Sequence, residues 1–353
     1  MSRQFGINKN LAWKISKIVQ AEDKALVLQQ MPGAAGVKIF LRSLERVGVE
    51  PVLLETAQKA VQEFDELIEV HSGDRATLEM MGSELSSVGR QQRDEYYRKL
   101  LFQGASYVWG VQARVSLKIG LVGPSQEPGM LDFASLNAFI DFRRLRQGVT
   151  WPMASRRSRN DDGSEMSTFA AEAIDPRYSG VDQVPLVANF CSQPLPELRR
   201  VVVANSTNFE LVEGPVGNTG ARTCVIGTIQ RRIPYYRTPE NEYGEHTAIV
   251  DTPAELMIMD LFFHKDFTFT ISPDVSLYSE LCAAVPYPAR GRERNQLPLY
   301  EPLQDLGVGP RPPATPEVNR YRQMAQTMFD RMGWTSTDFH GYRMRVPYPA
   351  CPT

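Results

Sequence analysis

Val111, Ala113, Val115, Leu117, Ile119 and Leu121 alternate with Gln112, Arg114, Ser116, Lys118 and Gly120. Successive side chains of an extended chain point to opposite faces, so this alternation predicts a long strand with one buried and one wet face. No other stretch constrains the fold as tightly. Gly123-Pro124 closes the strand, and the chain beyond it turns to sheet. Val184–Phe190, Arg200–Ala204, Phe209–Glu213, Thr223–Ile233 and Thr268–Ile271 are predicted as short strands separated by glycine, proline and asparagine.

Two apolar stretches of this half are read as helices. Phe133, Leu136, Phe139 and Ile140 have the spacing of one helical face, and Ala254–His264 has a length that favours a helix over a strand. Val318–Met332 is predicted as a further helix with Gly333 as its stop. Prolines are dense from Val285 to Pro316 and again in the tail, where Val-Pro-Tyr-Pro recurs at 285–288 and 346–349. Such composition predicts extended arms that wrap the surface. Residues from about 155 to 166 have almost no apolar content and are expected to form an exposed loop.

Upstream of the long strand the period is helical. Pro32-Gly33 breaks a first helix, and Val37, Phe40, Leu41 and Leu44 space out a second that ends near Gly48. Ala57, Val61, Phe64 and Ile68 stripe a third, while Asp74 to Leu85 and Gln91 to Phe102 predict two more, with Gly104 as the final stop. Short connections imply antiparallel neighbours in a small bundle. The chain therefore reads as α+β: a helical region over 1–104 and a mixed, strand-rich domain with proline-rich C-terminal arms over 105–353.

The N-terminal stretch Phe5-Gly6-Ile7-Asn8-Lys9-Asn10-Leu11-Ala12-Trp13-Lys14-Ile15 has a pattern of its own. Gly6 can supply a left-handed turn, and Asn8 is a good N-cap because its side-chain oxygen accepts a free helical N–H. Ala12, Ile15 and, one turn on, Ile18 or Val19 follow a buried face. The segment resembles the turn and recognition helix of bacterial helix-turn-helix regulators. Only Ser2 to Phe5 precede the turn, less than a full first helix, so the resemblance is partial. It implies that Lys9, Asn10, Trp13 and Lys14 face a DNA groove, with Arg3 and Lys17 as phosphate anchors. It also implies a homodimer, because two half-sites share the binding energy.

Charge limits how such contact could be made. Thirty-nine basic residues stand against 41 acidic ones, a net charge of −2, so nucleic acid would have to be held by a local patch. No apolar run is long enough to span a bilayer and no secretory core opens the chain, which predicts a cytoplasmic protein without a membrane partner. Cys191, Cys224, Cys282 and Cys351 form no C-x-x-C pair and are expected to be free, buried thiols.

Few residues invite chemistry. Gly214 to Gly220 lacks the Gly-Lys-Ser/Thr ending of a phosphate loop and is read as a hairpin loop. His71, His246, His264 and His340 have no metal-ligand spacing, and Asp161, Asp162 and Glu165 lack that of a calcium loop. His246 with Glu245 and Asp251 offers an acid–base group on paper, but a surface histidine is the simpler reading. No catalytic residue, metal or cofactor is assigned. Arg231, Arg232, Tyr235 and Tyr236 form an aromatic-plus-cation cluster suited to an anionic ligand or a base, and Arg143, Arg144 and Arg146 could touch phosphates. Two functions follow. One is a DNA-binding regulator with a ligand-sensing or assembly domain. The other is a self-assembling, shell- or capsid-like structural protein without enzymatic activity, to which the strand-rich half and its arms point.

Overall fold

The computed structural model describes residues 5–21, 27, 30–83, 90–157, 172–180, 183–203, 206–234, 246–267, 272–278, 296–308 and 315–349. They form two compact units, Met1–Asp94 and Glu95–Thr353. The first unit contains α1 (Lys9–Val19), α2 (Ala34–Arg46), α3 (Pro51–His71) and α4 (Arg75–Ser83). The division falls within α5 (Arg90–Trp109).

Local chemistry sets the ends of these helices. Pro51 starts α3, where a missing N–H costs nothing, and Gly48 ends α2's segment at φ +79°, the left-handed region that favours glycine. Asp74 caps α4, accepting from the Thr77 amide at 2.8 Å and the Thr77 hydroxyl at 3.0 Å. Arg75 donates to the Pro32 carbonyl at 2.8 Å and to that of Met31, tying the start of α4 to the start of α2. The expected stripe of α3 (Ala57, Val61, Phe64, Ile68) is half-buried, and no residue of that helix is fully buried.

The second unit is built on a seven-stranded sheet in the order β11-β12-β8-β1-β2-β7-β4. In chain order its strands are β1 (Val111–Pro124), β2 (Met130–Arg144), β4 (Glu172–Ala173), β7 (Arg222–Pro234), β8 (Ala254–His264), β11 (Gln304–Val308) and β12 (Phe339–Pro347). β1 and β8 run parallel, and every other pairing in this sheet is antiparallel. β3 (Trp151–Arg157), β6 (Ser206–Leu211) and β5 (Leu198–Val203) make a three-stranded sheet, and β9 (Leu277–Tyr278) pairs with β10 (Gln296–Leu297).

The alternation in β1 fixes which face carries the core. Val111, Ala113, Val115, Leu117, Ile119 and Leu121 are all buried, together with Ala134, Leu136, Ala138 and Phe142 of β2 and Ile258 and Phe262 of β8. Across them lies α6 (Tyr321–Met332), with Tyr321, Met324, Ala325, Met328, Phe329 and Met332 buried on its inner side. Gly333, at φ +69°, stops α6 as expected. One buried ion pair interrupts this core. Arg343 of β12 donates to both Asp260 oxygens at 2.7 and 2.6 Å, and the Tyr321 hydroxyl donates to the same carboxylate. Burial works against the Arg343 charge, but Asp260 outweighs it and holds that guanidinium above its ordinary pKa. A fully paired charge of this kind fixes which turn of α6 sits over which strand.

Several expectations are corrected. Phe133 to Ile140 is strand β2, not a helix: Leu136 and Ile140 are buried in the core while Phe133 and Phe139, at the alternate positions, are half-buried. Apolar residues on both faces happened to fall at helical spacing. Ala254–His264 is the strand β8, largely apolar because it has buried residues on both faces; Met257 packs with Met344 and Val346 opposite the main core. Val184–Phe190 is irregular and ends in a single 3-10 turn at Ala188–Phe190. Gly104 does not end its helix, which runs to Trp109 and stops at Gly110 with φ +72°. The second Val-Pro-Tyr-Pro is no free arm, since Val346 and Pro347 pair with Met257 and Leu256 in the sheet. The first repeat, most of the 155–166 loop, the predicted strand at 268–271, Cys282 and Cys351 lie outside the described residues.

Candidate functional site

Two surfaces concentrate the functional signals, and each is described within its own unit. On the first, Gly6 has φ +62°, Ile7 is buried, and the Asn8 side chain accepts the Asn10 amide at 2.8 Å. Ala12 and Ile15 turn inward with Ile7, and Phe5, Leu11 and Phe40 pack around them. The turn, the cap and the buried face are those expected from the sequence. Lys9, Asn10, Trp13 and Lys17 are exposed and Lys14 is half-buried, so five of the six residues assigned to DNA are described and share this helix; Arg3 lies outside the described residues. Trp13 is 55% exposed, and the Lys17 ammonium lies 5.9 Å from its ring centre.

The cluster at the end of β7 is occupied by its own neighbours. Arg231 donates to Asp132 at 2.8 Å and to Glu172 at 3.2 Å, and these carboxylates outweigh burial to hold its pKa above the ordinary value. Arg232 is exposed at φ +59°, with its amide donating to Asp132 at 3.0 Å. Tyr235 and Tyr236 lie outside the described residues. Arg144 is also committed: it is buried, its guanidinium donates to the carbonyls of Val149, Leu211 and Val212 at 2.7, 2.9 and 2.6 Å, and burial lowers its pKa. Arg143 donates to Asn218 at 2.8 Å and Arg146 to the Val108 carbonyl at 2.9 Å, so these arginines staple segments rather than line a phosphate patch.

Three of the four histidines are similarly accounted for. The His246 ring meets Phe133 edge-on at 5.2 Å, His340 pairs with Asp305 at 2.7 Å, and His264 lies edge-on to Phe339 at 4.9 Å. Glu245 lies outside the described residues. Among the described residues no group of three or more His, Cys, Asp and Glu side chains is arranged to hold a metal ion.

The second surface went unread in the sequence. Along the part of α5 in the second unit, Phe102, Ala105 and Ser106 are buried. On the other side Tyr97, Leu100, Leu101, Tyr107 and Val108 are exposed, Tyr107 at 81%, and Tyr96 flanks them, while Trp109 lies on the inner side, edge-on to Trp151 at 5.7 Å. These positions recur every three or four residues, so the helix carries an apolar stripe on two sides. Gly104 sits in the exposed stripe, and a Cβ there would meet nothing within 4 Å. A glycine in mid-helix costs about 1 kcal/mol relative to alanine, so its place in an open apolar face calls for a packing reason. The readable signal was the doublets Leu100-Leu101 and Tyr107-Val108, which put apolar groups on both sides of any helix through them.

No protein-family profile, curated protein or solved structure matches the chain.

Proposed function

We propose that this chain is a self-associating structural protein in which a rigid sheet unit presents the outer face of α5 to a second copy. The observation that carries this reading is the exposed stripe Tyr97, Leu100, Leu101, Gly104, Tyr107 and Val108. An apolar helix face of this extent is normally covered. With Tyr96 the stripe offers on the order of 600 Å² of largely apolar surface, at the upper end of the patch sizes usual on monomers and approaching the ~800 Å² per partner of a stable interface. Gly104 lets a second helix approach closely, and one face on each copy suffices for a two-fold pair. Tyrosines are among the side chains that anchor such contacts.

The full chain is expected to sediment above its monomer mass at micromolar concentration. The double variant Leu100→Glu with Tyr107→Glu should sediment as a folded monomer, since both positions are exposed and no core contact is lost. A wild-type chain that stays monomeric up to 100-fold higher concentration would remove this reading.

The α1 surface favours a second reading, DNA binding by a helix-turn-helix relative. Its support is the Gly6 turn, the Asn8 cap and the exposure of Trp13 beside Lys9, Lys14 and Lys17. Fluorescence anisotropy with duplex DNA separates base readout from simple charge. Asn10→Ala should change sequence preference, whereas Lys17→Ala should weaken all sequences alike and flatten the salt dependence. Equal effects from both variants would argue against base readout.

A further inference from the structure

Cys191 and Cys224 are 33 positions apart by their numbering, yet the fold sets their segments side by side and buries both residues in one cluster. After the 3-10 turn at Ala188–Phe190, the chain runs along β7 and is pinned on both sides of Cys224. The Ser192 amide donates to the Thr223 carbonyl at 2.9 Å, the Thr223 amide donates to the Ser192 hydroxyl at 2.7 Å, and the Val225 amide donates to the Cys191 sulfur at 3.3 Å. As a thiol, Cys191 also reaches the Val187 and Val225 carbonyls, both at 3.6 Å. The two sulfurs are not equivalent: Cys191 is 9% exposed and Cys224 2%.

The electrostatics divide the pair in the same sense. The Cys224 thiol donating to Cys191, and then the Val225 amide, lower the Cys191 pKa against the opposing effects of burial and the Asp175 charge. That same hydrogen bond, with burial and the neighbouring sulfur's charge, pushes the Cys224 thiol well above its ordinary value. A more acidic outer thiol backed by a fully protonated inner one is the arrangement that thiol–disulfide exchange uses.

We propose that Cys191 and Cys224 form a reactive dithiol that takes small, uncharged or weakly charged disulfides, with Cys191 as the attacking sulfur and Cys224 as the resolving one. The Cys191 thiolate attacks one sulfur of R–S–S–R, forming a mixed disulfide and expelling RS⁻. Cys224 then passes its proton to the released thiolate, and its sulfur attacks that of Cys191. The Cys191–S–R bond breaks and a second RS⁻ leaves, to be protonated from solvent, which has received the proton Cys191 gave up on ionising. Two protein thiols are oxidised and one external disulfide is reduced to two thiols. The new bond links the 172–192 segment to β7.

The test uses the full chain carrying Cys282→Ser and Cys351→Ser, so that only this pair remains. The reduced, folded protein is treated with bis(2-hydroxyethyl) disulfide, a small uncharged disulfide, and mapped by mass spectrometry without reduction. The expected product is a Cys191–Cys224 disulfide. Adding Cys224→Ser should trap a 2-hydroxyethylthio group on Cys191, and adding Cys191→Ser should leave Cys224 unmodified over the same time. Two free thiols in the folded chain, when the urea-unfolded chain is modified, would overturn the proposal, as would first attachment at Cys224. Alkylation by iodoacetamide at pH 7 needs neither of these last variants. Cys191 should react at least tenfold faster than Cys224, and equal or reversed rates would contradict the assignment.

Discussion

In the sheet unit, Leu117, Leu121, Leu136, Ile229, Phe262 and Phe329 are fully buried around one face. In the helical unit, α3 runs for 21 residues without one fully buried side chain, and the buried apolar side chains described are Ile7, Ala12, Ile15 and Pro32. Both units have the periodicity of ordinary globular structure. The difference lies in who supplies the second layer. One face of the sheet is covered by α6, and on the other Met257, Met344 and Val346 of β8 and β12 pack with Val250, Val275, Leu299 and Leu303 of the same unit. The helices of the first unit, like the outer face of α5 in the second, hold apolar groups that their own unit leaves half-covered or open. An amphipathic pattern states what a helix needs to cover, not what covers it. The proposed self-association rests on this difference between a closed unit and open helical faces.

This contrast is sharpest in the core. Leu117→Ala in β1 should cost about 3–4 kcal/mol, because a fully buried leucine leaves a cavity that the sheet cannot close. Phe64→Ala on the half-buried face of α3 should cost about 1–2 kcal/mol despite the larger side chain. Urea denaturation of the two variants compares them directly, and equal losses would break the distinction between the units.

Local interactions should matter more where packing is thin. Asn8→Ala removes the cap of α1 and should cost about 1 kcal/mol, seen as faster amide exchange across residues 9–12 with β1 unchanged. Exchange in α1 that does not change would mean that tertiary packing already holds this helix.

The smallest effect is electrostatic and belongs to the sheet unit. Arg345, donating to Glu317 at 2.5 and 3.4 Å, holds that carboxyl below its usual 4.5. A depressed folded pKa means that the unfolded chain takes up the proton first. The contribution is therefore present above about 4.5 and is lost as pH falls through the lower folded value. Glu317→Gln should be slightly less stable than wild type at pH 7 and should lose less stability between pH 5 and pH 3. Parallel melting curves across that range would remove the pair from the account.

What was legible in the sequence follows the same division. β1 was readable because apolar and polar residues alternate along it, and α1 because Gly6, Asn8 and the residues they organise are neighbours in the chain. β2 was misread because Phe133 and Phe139 put apolar residues at helical spacing from Leu136 and Ile140, and β8 because buried residues on both of its faces blur the period that tells a strand from a helix. The fate of Arg144 and Arg231 was invisible because their partners lie in distant segments, at Leu211 and Val212 for one and at Asp132 and Glu172 for the other. The Cys191–Cys224 contact was hidden for the same reason. The open face of α5 was present in its doublets, but Gly104 reads as a helix stop until Gly110 is seen to serve as one.

The most direct test of the central claim is amide hydrogen exchange on the full chain at low and high micromolar concentration. The account predicts that protection of residues 95–109 rises with concentration, while β1 and β2, already closed within one copy, keep their rates. The Leu100→Glu, Tyr107→Glu variant should lose that concentration dependence. Exchange in 95–109 that is the same at both concentrations, in a wild-type chain shown to be folded, would contradict self-association through α5.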